Sequence, residues 1–490
     1  MKPFVFLLLP LICAAAIPHE MAAVIDMARQ APGEFGADAL IRVAATEKLD
    51  KPVRVQLLEE AFRRAAEAQQ PYKRQASILR VGGTAGFLQH AYQQNLDALS
   101  LRLRAVEAML PLDHAKARSL FLEIPPLQPP KITCDDYLIY NVKLFYEVLG
   151  KVAQQSFSAQ EAATGEPVQL LERYVSAIDS AAEVEPAAHM LAEGGIENKD
   201  FATLTTALGA SLGRISGDDR TFTATVSPAS QQILALLENA RRREVSALAL
   251  VEGYRLYLVN NLSGPRCSDD DLVESGQSYS MTTGGPASGM GTAAADYFNQ
   301  KLAKPPILPL REEEVTPAKI EGAATGLRSC QAADCKDLAT QYRSLIFDAS
   351  GTPLPPAKKD TAEWRVQLQQ FLNSLANWKE AGGTDSEERE QFRDKCAMFG
   401  SLLGVIPPGP DSERVLLAWL DYLQGSRVAQ DDRVGWFLPV NTLIGRVAMD
   451  PLGLGKLTEA LRKTPNPVIA LYIELEHVAP RTPDQILPLM

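Results

Sequence analysis

The chain has 490 residues, with 49 Lys+Arg against 60 Asp+Glu and a formal net charge of −11. Hydrophobic residues at 46% and charged residues at 22% supply enough apolar material for a large core, which excludes wholesale disorder and a fibrous repeat. An acidic chain with no basic block is a poor match to a phosphate backbone, so nucleic acid is not an expected partner.

The first expected element is a targeting segment. Residues 1–16 read MKPFVFLLLPLICAAA: one Lys, a short apolar stretch, then Ala14, Ala15 and Ala16 as the small residues a signal peptidase needs. The apolar stretch is too short to cross a hydrocarbon core of about 20 residues, and Pro10 would break a buried helix. A lipoprotein anchored through Cys13 needs a small residue before the Cys, and Ile12 stands there. The segment therefore reads as a cleaved signal peptide and predicts export to a periplasmic or extracellular space. No later stretch is apolar enough for a second membrane span.

From residue 17 onward the pattern is helical. Ile41, Ala44, Ala45 and Leu49, then Leu57, Leu58, Ala61, Phe62 and Ala65, recur three and four apart. Lys51-Pro52 separates the two runs, which predicts a helical hairpin. The signature Ala45-x3-Leu49-Asp50-x6-Leu57-Leu58-x-Glu60 returns as Ala108-x3-Leu112-Asp113-x6-Leu120-Phe121-x-Glu123, an internal match at the scale of two hairpins. Further helices are expected from Val245 through Leu248, Val251, Arg255, Leu258 and Leu262, and through Trp364, Leu368, Phe371, Leu372, Leu375 and Trp378. Residues 396–406, the turn Pro407-Pro408-Gly409-Pro410 and residues 412–423 predict another hairpin, as do residues 457–462 and 468–477 around Pro465 and Pro467. The one alternating, strand-like stretch is residues 221–226, TFTATV.

The fold class expected is all-α: stacked helical hairpins, either superhelix-like or in two lobes. Residues 276–319, rich in Gly, Ser, Thr and Pro, read as a linker or loop that could hold a short helix from about 294. All four Trp lie beyond it. The organisation expected is signal peptide 1–16, N-terminal lobe 17–275, linker 276–319 and C-terminal lobe 320–490. The hairpins at 38–65, 97–124, 396–423 and 457–477 resemble tetratricopeptide-type and related α-solenoid repeats, and in style exported helical proteins of bacteria. They lack the tetratricopeptide Trp, Gly-Tyr and Pro at fixed places. The resemblance implies a scaffold that binds peptides or proteins on a concave face, and it assigns no catalytic residue.

Export makes the cysteines informative. Removal of Cys13 leaves Cys134, Cys267, Cys330, Cys335 and Cys396, an odd set that predicts two disulfides and one free thiol, with Cys396 the candidate. Cys330 and Cys335 on one helix would lie about 8–9 Å apart at Cα, too far to bridge, so their pairing requires a helix that starts near Asp334. Cys134 and Cys267 share a Pro-preceded, helix-opening context, Thr133-Cys134-Asp135-Asp136 and Cys267-Ser268-Asp269-Asp270-Asp271, which suggests a bridge between them. A zinc site would need paired ligands at short spacing, and none accompany these residues.

Local chemistry is sparse. His19, His90, His114, His189 and His477 form no pair at metal-ligand spacing, and no HExxH, nucleophile elbow or Ser-x-x-Lys occurs. Gly289-Met290-Gly291-Thr292-Ala293-Ala294 lacks the strand that gives a dinucleotide motif its meaning, and Gly453-Leu454-Gly455-Lys456 lacks the following Ser/Thr and the first Gly of a phosphate loop. Asp135-Asp136 and Asp269-Asp270-Asp271 read as helix-start acids rather than a calcium loop. Arg241-Arg242-Arg243 reads as an ion-paired solvated face, and Asn261-Leu262-Ser263 is a glycosylation sequon that matters only in a eukaryotic secretory route. No catalytic, cofactor or metal residue is assigned and no cofactor is expected. The leading expectation is an exported scaffold for a protein or peptide partner. The alternative is a secreted hydrolase on an α/α scaffold, its carboxylates brought together from distant positions. An envelope-associated structural protein held by an uncleaved N-terminus is a third.

Overall fold

The computed structural model describes residues 17–76, 83–132, 138–215, 220–262, 266–267, 315–316, 333–378, 385–407, 409–426, 432–448, 466–482 and 484. The described residues are all-α, with four strands of two or three residues. In chain order the helices are α1 His19–Gln30, α2 Gly33–Ala45, α3 Lys51–Arg64, α4 Gly83–Tyr92, α5 Ala98–Met109, α6 His114–Leu122, α7 Lys143–Gln155, α8 Ala159–Ala163, α9 Glu166–Val175, α10 Ala181–Glu193, α11 Asn198–Leu212, α12 Arg220–Arg242 and α13 Leu248–Leu262. They continue with α14 Ala333–Ile346, α15 Pro356–Lys359, α16 Ala362–Asn377, α17 Asp385–Val405, α18 Pro410–Gly425, α19 Arg433–Ala448 and α20 Pro467–Val478. Strands β1 Arg74–Ala76 and β2 Leu138–Tyr140 pair antiparallel; β3 Arg266–Cys267 and β4 Val315–Thr316 pair parallel. No described helix is long and apolar enough to cross a membrane.

The internal sequence match marks real helix starts. Asp50 and Asp113 occupy the same place, directly before α3 and α6. The Asp113 carboxylate accepts the Lys116 amide at 2.9 Å, satisfying one donor left open at a helix start. Pro52, in the first turn of α3, needs no amide donor there. The matching apolar pairs, Leu57 with Leu58 and Leu120 with Phe121, are buried. Residues 396–405 and 412–423 likewise fall in α17 and α18, which pack together, with the expected first helix ending one residue earlier than read.

Residues 221–226, read as a strand, are instead the first turns of α12. The cause is a longer pattern: Phe222, Val226, Ala229, Ile233 and Leu236 form one stripe buried to 2% or less, and it packs on α10. Thr225 returns its hydroxyl to the Thr221 carbonyl at 2.7 Å, so the threonines fit the helix. Helices α11 and α13 approach unusually closely: a Cβ at Gly253 would lie 1.9 Å from the Gly209 carbonyl oxygen. Only glycine at both positions permits that contact.

The helices pass contact from neighbour to neighbour, from α1 on α2 and α2 on α3 through α5, α7 and α10 to α12. The chain then returns: α20 packs on α1 and α2, and α17 and α19 pack on α4. Phe35 of α2 meets Phe437 of α19 at 4.9 Å and Tyr472 of α20 at 6.2 Å, edge to face. Phe87 of α4 meets Phe392 of α17 at 6.0 Å. One apolar core thus includes helices from both sides of the linker read at 276–319; that linker, apart from β4, lies outside the described residues.

Candidate functional site

Two buried polar centres and one surface depression concentrate the polar chemistry of the described residues. The first centre lies where α20 returns to α2. Glu34, Asp38 and Arg42 repeat every four residues and so form a single polar line along α2, a helix otherwise almost wholly buried. Asp38 receives Arg104 Nη2 of α5 on Oδ1 at 2.6 Å and the Tyr472 hydroxyl of α20 on Oδ2 at 2.7 Å. Arg42 Nη2 donates to Glu476 Oε1 and to the Ala479 carbonyl, each at 2.8 Å. Arg481 donates to Glu476 Oε1 and to Asn441 Oδ1, each at 2.7 Å, and Asn441 Nδ2 reaches Gln94 Oε1 at 2.8 Å. Glu34 is fully buried; Arg433 Nε stands 3.0 Å from its Oε1, near enough for an ion pair but off the line of a hydrogen bond.

Burial alone would raise the Asp38 carboxyl. Arg104, Arg42 and the Tyr472 hydroxyl outweigh it and hold Asp38 below its ordinary range. Burial and the adjacent Asp38 carboxylate push Tyr472 far up. Glu34 moves up because burial exceeds the pull of its own backbone and Arg433.

The second centre closes the start of α10. Glu183 is 2% exposed. Tyr146 of α7 donates to Oε1 at 2.8 Å, and the Asp179 and Ser180 amides donate to Oε2 at 3.2 and 3.3 Å. Ser180 and Glu183 make a capping box. With no cation in direct contact, burial pushes Glu183 up to about 7. Nearby, Tyr72 accepts the Gln128 amide at 3.3 Å and packs its ring on Tyr140. Lys73 is pushed down by burial, with Asp97 and Glu147 opposing that shift.

The depression lies beside α14. It encloses about 370 Å³ and is lined by Ala339, Tyr342, Arg343, Phe347 and Gly351. Residues 347–353 fold back on α14 as a tight turn, with the Asp348 carboxylate accepting the Ser350 and Thr352 amides at 2.9 and 3.0 Å. Gly351 has φ +84°, a left-handed conformation that favours glycine.

Cys396 is an unpaired, buried thiol, pushed up to about 12 by burial against the smaller pulls of Trp419 and Lys395. Such a thiol is a packing group, not a nucleophile. Cys134 and Cys330 lie outside the described residues; Cys267 falls in β3, and Cys335 in α14, which begins at Ala333. The acidic runs at Cys134 and Cys267 and both glycine motifs also lie outside them. Among the described residues no group of three metal-ligating side chains converges. Arg241 and Arg242 form the expected exposed ion pairs with Glu238. Arg243 departs from that pattern: it covers the Phe201 ring at 4.6 Å and bonds the Ile196 carbonyl. The Asn261 sequon is corrected by its surroundings. Its amide is 1% exposed and donates to the Ile215 and Tyr257 carbonyls at 3.0 and 2.7 Å, so it offers no acceptor for a glycan. No protein-family model, curated protein or solved structure matches the chain.

Proposed function

We propose that the chain is an exported helical scaffold that holds a protein or peptide partner and carries out no catalysis of its own. The observation that carries this reading is the use made of the buried carboxylates. Asp38, Glu183 and Glu476 each accept at least two donors from the chain itself, and at least one donor to each comes from another helix: Arg104 and Tyr472 for Asp38, Tyr146 for Glu183 and Arg42 for Glu476. Groups engaged in this way tie helices together rather than face a substrate. Export rests on residues 1–16 and predicts a mature N-terminus at about Ile17 by mass spectrometry; a retained Met1 would contradict cleavage.

The hydrolase alternative has one observation in its favour, the Glu183 carboxyl near about 7, in the range of a general acid or base. A direct test separates the two. The full chain is presented to a displayed random-peptide library and, in parallel, to fluorogenic ester, glycoside and peptide substrates. The scaffold reading expects selected peptides with micromolar affinity and no turnover. Turnover that disappears in Glu183→Gln would replace it with the hydrolase.

A further inference from the structure

We infer that the depression beside α14 is a docking site for a peptide C-terminus whose last residue is aromatic or bulky aliphatic; this rests on the scaffold reading and names its partner chemistry. Three features point to that occupant. The first is a free cation: Arg343 is exposed and, among the described residues, its guanidinium has no ion pair or hydrogen bond. In a chain of net charge −11, an unpaired guanidinium over a concavity is complementary to a carboxylate.

The second is the wall. Tyr342 and Phe347 are half-buried and line the same depression. The Tyr342 ring packs on Phe371 at 5.9 Å and its hydroxyl bonds Ser401, so the aromatic face is fixed before any ligand arrives. Asp348, on the turn that follows α14, is held into its own loop by Ser350 and Thr352.

The third is size. A volume of about 370 Å³ lies at the lower end of ligand sites, room for one or two residues and too little for a folded surface. A C-terminal residue brings a carboxylate and an apolar side chain on one Cα, matching a guanidinium and aromatic walls contributed by neighbouring positions of one helix end. An internal acidic peptide must supply them from two residues.

The test is ligand-observed fluorine NMR on the full chain with three probes: N-trifluoroacetyl-phenylalanine, its C-terminal amide, and N-trifluoroacetyl-Asp-Phe-amide. The free acid is expected to bind at least about tenfold more tightly than the amide, as one charge-assisted contact gives. Arg343→Gln, an exposed change that leaves the core intact, is expected to remove that preference, and Arg343→Lys to restore part of it. Equal binding of acid and amide, binding indifferent to Arg343→Gln, an Asp-Phe-amide that binds as well as the acid, or no binding would each overturn the site. Library-selected peptides that bind independently of Arg343 would leave the scaffold reading standing while removing this one.

Discussion

Asp38 and Glu183 are the same chemical problem solved twice. Each is a buried carboxyl that accepts one tyrosine hydroxyl, at 2.7 Å from Tyr472 and 2.8 Å from Tyr146. Their titrations nevertheless move in opposite directions, Asp38 below its ordinary range and Glu183 up to about 7. The difference is the second partner. Asp38 faces the guanidinium of Arg104 with Arg42 close by, whereas Glu183 has two backbone amides. Full charges repay the desolvation of a buried carboxylate; dipoles at longer range do not. The Asp38 centre joins helices from opposite ends of the chain, while the Glu183 centre closes a local cap and joins only α7 to α10.

The comparison breaks most visibly at Arg104. Arg104→Met leaves Asp38 buried beside an apolar side chain and is expected to cost roughly 3 kcal/mol or more in urea unfolding at pH 7. A loss under 1 kcal/mol would mean that the Asp38 centre is not held by charge.

Next in size is the pH dependence. Glu183 binds its proton more tightly folded than unfolded, so its contribution is fully present at low pH. That contribution declines as pH rises from about 4.5 to about 7, by about 3 kcal/mol in total. Asp38 acts with the opposite sign: its contribution is present above its unfolded range near 3.8 and is lost as pH falls through its lower folded value. Unfolding free energies from pH 4 to 8 are expected to fall in the native chain and to flatten in Glu183→Gln; parallel profiles would remove the raised titration.

A smaller effect sharpens the same contrast. Tyr472→Phe removes a hydrogen bond to a full carboxylate and is expected to cost about 2 kcal/mol, against about 1 kcal/mol for Tyr146→Phe at pH 5, where Glu183 is protonated. Equal losses would show that the two carboxyls carry the same charge. The smallest effect is at Cys396, where alkylation by iodoacetamide at pH 8 is expected to be negligible in the folded chain and fast in urea.

The helical hairpins were legible because they depend on local signals. Asp50 and Asp113 before repeated apolar pairs, Pro52 after a break, and the run 407–410 all act within a few residues. In residues 221–226 three threonine–apolar pairs imitate a strand, and they are outweighed once Phe222 to Leu236 are counted at helical period. The return of α20 left no such trace, since Asp38 and Tyr472 are 434 positions apart. One signal was present in α2: Glu34, Asp38 and Arg42 form a polar line through a helix with no other exposed face to explain it. Arg42 and Glu476, like Asn441 and Gln94, meet only through packing that no local pattern encodes.

The central claim is that the two ends of the chain form one cooperative unit through the Asp38 and Glu476 contacts. Native-state hydrogen exchange tests it most directly. Amides of α2 and α20 are expected to open with one shared free energy, and Arg104→Met to lower protection in both by the same amount. Exchange of α20 that is faster than α2 and unchanged by Arg104→Met would contradict the account.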